Sequence, residues 1–197
     1  TGCNWLHTLQ KNWLDYSKEK PYDLSCMFGY PTKQPVYEHD LSQTHYYDSH
    51  RKNLMDTLGN KYKIAGLVDG ERIPIEEYYQ KMVDSKIITA PLGYGEMAPR
   101  DLESAMFGCV LLKPDLSYIL SEPFIYEDDE TYIAVKYDWS NLEEKIDYIL
   151  SDYNNIRERL VENMRKQFEE KYDLKNLVLH LYNIFNNLDD TEEVHES

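Results

Sequence analysis

Positive charge is scarce in this chain. Against 36 aspartates and glutamates stand only 21 lysines and arginines, a formal net charge of −15 over 197 residues. A surface of that sign repels phosphate backbones and gains nothing from counterion release, which excludes nucleic acid as a partner. A small anionic nucleotide remains admissible where local cations or a helix N-terminus overcome the field. Cysteine is scarcer still. Cys3, Cys26 and Cys109 match no metal spacing, and the latter two lie within apolar runs, as buried free thiols in a reducing compartment do. Long apolar runs are missing, so no transmembrane segment is expected. There is no signal peptide either, and the expected location is cytoplasmic.

What is present is an ordinary globular composition, 42% hydrophobic, in a length that fits one large domain or two small ones. The chain starts at Thr1 rather than Met, so a piece of a longer protein is expected. Residues 1–20 place Trp5, Leu6, Leu9, Trp13, Leu14 and Tyr16 in a helical rhythm. They read as a linker or helix from a preceding region, ended by Pro21. No repeat, low-complexity tract or internal boundary interrupts residues 21–188, and the acidic tail 189–197 is expected to be disordered.

Within 21–188, short apolar runs bounded by glycine and proline alternate with helical spacing. Residues 22–30, 63–68, 86–93, 110–115 and 131–138 read as strands. A long polar loop follows the first strand, from 32 to 43. A helix capped by Asp48 or Ser49 is expected to run to Leu58, with Gly59 after it. Another opens at Pro74 with Glu76 and Glu77 in its first turn, where negative charge suits the helix dipole; its Tyr78, Tyr79, Met82 and Val83 form an inward face. Ser140 and Glu143 make a capping box for a helix carrying Leu142, Ile146, Ile149 and Leu150. Ile156, Leu160, Met164 and Phe168 mark a longer helix. Asp173 caps a last one with Leu174, Val178, Leu181 and Phe185. Such alternation predicts an α/β fold: a Rossmann-like parallel sheet of about five or six strands with helices on both faces.

The stretch GYGEMAPRDLESAMFGC, residues 93–109, is where chemistry concentrates. A strand runs into Gly93 and Gly95, and a helix starting near Ala98 would have Pro99 at its first position, where a missing N–H costs nothing. The remaining free N–H groups and the glycine turn make an anion site. Arg100, in the first turn, can offer a charge-assisted fork to a phosphate. Glu103 lies one turn on, on the same side, where a carboxylate suits the hydroxyls of a ribose. Leu102, Ala105, Met106 and Cys109 make the opposite, buried face. The bland alternative is an Arg100–Glu103 surface ion pair worth ~0.3–0.5 kcal/mol. The third glycine of a dinucleotide fingerprint is absent.

The run from Glu76 to Asp115 resembles the C-terminal half of GT-B-fold glycosyltransferases, in the group 1-like branch. That branch is marked by S-K, an apolar strand, G-x-G, a turn, then R-x-x-E-A-x-x-x-G. Here these elements are Ser85, Lys86, Gly93, Gly95, Arg100, Glu103 and Gly108, with Ser104 where alanine is commoner. The likeness extends roughly over residues 22–188.

The resemblance implies a domain that binds a nucleotide-sugar donor, UDP- or GDP-linked, with no cofactor and no metal. Its chemistry would be sugar transfer to a hydroxyl of a glycan, lipid or protein acceptor, as in polysaccharide biosynthesis. The acceptor domain would lie N-terminal to it in the parent protein. Glu103 is implied to hold the donor ribose, and Gly93, Tyr94, Gly95 and Arg100 to receive the diphosphate. Arg51 would meet the diphosphate from the other side, and Lys113, with Asp115, would border the sugar. Glu96 and Arg100 are the candidate catalytic residues. A glutamate common in such enzymes upstream of Glu103 falls here on Gly95, one residue before Glu96. A non-catalytic binding or assembly domain of the same fold is therefore the alternative. A signalling or flavin-type domain is disfavoured because YDLSCMFGYP carries no phosphate or acidic-pocket residues. Asp128, Asp129 and Glu130 form an acidic loop or a metal motif; His39 and His45 have no evident metal partner.

Overall fold

The computed structural model describes residues 19–30, 43–67, 72–93, 95–119 and 124–171, with helical residues 175, 176, 178, 179, 181–183 and 186 beyond them. The expected N-terminal helix or linker, most of the polar loop, Tyr94 and the acidic tail lie outside the described residues. Five strands form one parallel sheet: β1 (Tyr22–Cys26), β2 (Ile64–Gly66), β3 (Ser85–Thr89), β4 (Val110–Pro114) and β5 (Ile133–Val135), in the order β2-β1-β3-β4-β5. Among the described residues, five continuous helices connect or follow them: α1 (Gln43–Leu58), α2 (Ile75–Val83), α3 (Pro99–Phe107), α4 (Leu142–Ser151) and α5 (Tyr153–Lys171). The expected α/β architecture is observed, with strands shorter than their apolar runs.

Register explains the core. Leu24, Ile87 and Val110 stand side by side across β1, β3 and β4 and face one way, with Leu112, Ile133 and Val135. Leu54 and Leu58 of α1 and Leu142, Ile146 and Ile149 of α4 cover them. Ile88 faces the other way, against Met82 of α2 and Met106 and Phe107 of α3. Its neighbour Leu111 packs with Met164 and Phe168 of α5. All five residues of β4 are buried, as a central parallel strand covered on both faces must be. Cys26 and Cys109 are buried free thiols, as expected.

The boundaries of α3 fall where proline and glycine put them. Ala98 is the N-cap, Pro99 opens the helix, and Gly108 closes it in the left-handed conformation at φ 62°. Two helix starts differ from expectation. Helix α1 begins at Gln43, ahead of Asp48 and Ser49. Tyr47, partly buried against the second core cluster, gives this extra turn a packing partner.

The Ser140 capping box does not form, and Asn141 is the N-cap of α4. The cause is Trp139. It takes φ 62°, is almost fully buried, and donates its indole N–H to the His50 carbonyl at 3.0 Å. The polar residues around it are therefore engaged in the turn. Ser140 N–H bonds the Asp138 carboxylate at 3.0 Å, and the Asn141 side-chain oxygen accepts from Lys136 N–H at 2.8 Å.

The acidic loop is structural. Asp128 accepts from Ala134 N–H at 2.7 Å, Asp129 pairs with Arg159 at 2.9 Å, and Glu130 accepts from Asn163 at 3.0 Å. Among the described residues no cluster of His, Cys, Asp and Glu could hold a metal ion. None of the described helices is long and apolar enough to cross a membrane.

Candidate functional site

From β1 the chain crosses to β2 on one side of it and later returns to β3 on the other. In open α/β sheets such a switch point leaves a crevice beyond the carboxyl ends of the two strands, and ligands bind there. Residues 27–29, after β1, and 90–93, after β3, form its lips.

Two arginines flank this crevice from opposite faces of the sheet. Arg51 of α1 donates from Nη1 to the Gly29 carbonyl at 3.3 Å. Its Nη2 lies 3.1 Å from where a Cβ on Gly93 would stand. A side chain at 93 would therefore crowd the guanidinium, and glycine leaves it room. Arg100 of α3 donates from Nη2 to the Met27 carbonyl at 2.8 Å, its guanidinium carbon 5.9 Å from the centre of the Phe28 ring. Each guanidinium is thus anchored on the segment following β1 and adds positive charge to the mouth of a strongly acidic domain.

Glu103 is 6% exposed, so burial pushes its carboxyl above the ordinary range, while the Tyr78 hydrogen bond and the Arg100 charge pull it back. Tyr78 donates to Oε2 at 3.0 Å. Arg100 and Glu103 are not a surface ion pair. The arginine turns to Met27, and the carboxylate takes its hydrogen bond from the Tyr78 hydroxyl instead.

Asp101, which the sequence had not marked as a site residue, organises the start of α3. It is 1% exposed and accepts from Lys113 Nζ at 2.6 Å, Tyr126 hydroxyl at 2.7 Å and Ala98 N–H at 3.0 Å. Lys113, equally buried, also donates to the Glu96 carbonyl. It borders the crevice only through these contacts, fixing the glycine turn to β4. The Asp101 N–H bonds the Ala98 carbonyl at 2.9 Å, and Pro99 has no N–H. The helix N-terminus therefore offers fewer free donors than its sequence promises.

Gly95 and the Glu96 side chain are exposed on the turn. Asp115 stands apart, beyond the carboxyl ends of β4 and β5. There it lines a polar recess of about 840 Å³ with Tyr118, Lys136, Tyr137, Asn141 and Lys145. The structure thus brings together Arg51, Gly93, Arg100 and Glu103. Tyr78 was missed as a site residue because a tyrosine at helical spacing reads as packing. Asp101 was legible in principle, since an acidic residue at the third helical position is the reciprocal half of a capping box.

No family model and no curated protein matches this chain. Among solved structures it is similar to the C-terminal domain of a glycosyl transferase group 1 family protein, LpcC, from Francisella tularensis. The two share 15% identity, the match covers 84% of this chain and 93% of that one, and the TM-score is 0.44. That domain belongs to the family the sequence resembles.

Proposed function

We propose that this chain is the donor-binding domain of a glycosyltransferase, taking a nucleoside diphosphate-sugar in the crevice between β1 and β3. The observation that carries the proposal is the pair of anchored guanidiniums, Arg51 and Arg100, flanking the switch point beside a buried carboxylate. A diphosphate would lie between the arginines and the Gly93–Gly95 turn, and Glu103 would accept from a ribose hydroxyl. As the anomeric C–O bond breaks and an acceptor hydroxyl attacks, negative charge grows on the departing diphosphate. Preorganised cations stabilise that charge more in the transition state than in the ground state. Arg100 is the residue in place to do so, and Glu96 borders the turn where the sugar would project. The acceptor, a glycan, lipid or protein hydroxyl, would bind in another part of the parent protein.

Calorimetry with UDP and GDP tests this reading directly. One of them is expected to bind, and Glu103→Ala to weaken binding by about 1–3 kcal/mol, the range for a lost charged hydrogen bond. Absence of affinity for every nucleoside diphosphate would refute it. A non-catalytic binding domain of the same fold is the second reading, favoured by Gly95 standing where such enzymes often carry a glutamate. Sugar-nucleotide turnover by the full-length parent separates the two.

A further inference from the structure

Tyr78 hydrogen-bonds the buried carboxylate of the crevice, yet it comes from a different helix, α2, and no motif marks it. Its hydroxyl donates to Glu103 Oε2 at 3.0 Å and also interacts with the Arg100 guanidinium. Arg100 is in turn fixed to the Met27 carbonyl. The ring packs edge-on against Tyr79 at 5.5 Å between centroids, and Tyr79 lies against Phe107 at 5.4 Å. The hydroxyl is therefore carried by a packed aromatic row rather than by a mobile surface side chain.

We propose that Tyr78 is a positioning residue for the donor site, holding the Glu103 carboxylate ionised and aimed through its hydrogen bond to Oε2. This rests on the donor-binding proposal above and adds the group that holds its carboxylate. The physical need is plain. A carboxylate that is nearly buried takes up a proton unless something bonds its charged form, and a protonated Glu103 would be a poorer acceptor for a ribose hydroxyl. The groups facing Glu103 are Tyr78 and Tyr79 from α2 and Arg100 and Asp101 from its own helix. Asp101 disfavours the charge, and Arg100 and Tyr78 favour it. Tyr78 is the one of these that hydrogen-bonds the carboxylate directly. With Oε2 bonded to Tyr78, Oε1 is the oxygen left to meet a ligand hydroxyl.

The variant to make is Tyr78→Phe, which keeps the ring and removes the hydroxyl; Tyr79→Phe is the control. In the ligand-free protein, the Glu103 carboxyl carbon is titrated by NMR. Its midpoint is expected to rise by about one pH unit in Tyr78→Phe, the loss of one hydrogen bond to a charged group, and to stay put in Tyr79→Phe. For the nucleoside diphosphate that binds, affinity is then measured from pH 5 to 8. Binding needs the ionised carboxylate, so it weakens as pH falls through the Glu103 midpoint. In Tyr78→Phe that fall starts at higher pH, and binding is weaker by up to about tenfold once the pH lies below both midpoints. A merely structural role would lower affinity by the same factor at every pH and leave the midpoint unmoved; either result overturns the proposal. Wild-type protein that binds no nucleoside diphosphate would sink the donor reading instead, a failure separate from the carboxyl titration.

Discussion

Asp101→Ala is expected to cost about 3–5 kcal/mol of folding stability, the cost of leaving one member of a buried ion pair uncompensated. Both side chains of the Asp101–Lys113 pair are 1% exposed, with 2.6 Å between Nζ and Oδ2. Removing the carboxylate leaves the Lys113 ammonium with the Glu96 carbonyl and the face of the Tyr126 ring, 5.3 Å from its centre. Neither neutralises a charge. The Tyr126 hydroxyl and the Ala98 N–H lose their acceptor in the same step. Urea denaturation with a calibrated m-value measures the cost. A loss below about 1 kcal/mol would mean that Lys113 reaches water. The pair is not expected to be a large net source of stability, because desolvation offsets most of its attraction. Asp101→Asn combined with Lys113→Met, which removes both charges and keeps the volume, should therefore recover at least half of the loss. What the pair contributes is position. It ties the first turn of α3 to the end of β4 and fixes the turn from which Arg100 projects.

That tie shows where sequence reasoning runs out. Local signals did well: Pro99 and Gly108 set both ends of α3, and Glu76 and Glu77 marked the start of α2. Short apolar runs marked all five strands. Strand ends were overestimated because apolar residues such as Met27, Phe28, Ala90 and Leu92 stay buried after the ladder has ended, and burial is what an apolar run reports. Side-chain pairings between elements were not legible. Lys113 was read as a ligand contact because it sits near the end of a strand, and its pairing with Asp101 came to light only with the placement of α3 beside β4. Arg51 was the opposite case. Nothing local distinguishes it from any exposed arginine, and the parallel order of β1 and β3 is what carries it to Gly93. His50 carries no local mark of burial. Its burial depends on Tyr137 and Trp139, far along the chain.

The site and its support are also linked along α1, because His50 precedes Arg51. His50 is 5% exposed, stacked on Tyr137 at 4.5 Å and tilted against Trp139 at the same distance. Its Nε2 donates to the Tyr137 carbonyl at 3.1 Å, and its Nδ1 is buried with no hydrogen-bond partner. Protonation would put the ring's second N–H on that nitrogen with nothing to accept it, in a buried position next to the Arg51 charge. Burial first, and Arg51 second, push the imidazole down from 6.5 to about 4.

The sign of the consequence follows. As pH falls below about 6.5, the unfolded chain takes up a proton that the folded chain refuses, so stability is full above that pH and declines towards pH 4. Between pH 7.5 and 4.5 the expected loss from this residue is about 2.5 kcal/mol. Paired urea titrations of the wild type and His50→Gln check it. The variant should be less stable at pH 7.5 and show a flatter decline down to pH 4.5, where the difference cancels the other histidines. Carboxylates held low by partners, such as Asp23 with Lys63 and Lys86, lose their contribution only as pH falls further, through their depressed folded values. They therefore stay outside the interval above pH 4.5, and the Glu103 carboxyl, raised by burial, cancels in the difference between the two proteins. Parallel slopes for the two proteins would show that water or a relaxed rotamer accommodates the imidazolium. A slope confined to the wild type would show that α1, and with it Arg51, is held in place by a neutral histidine.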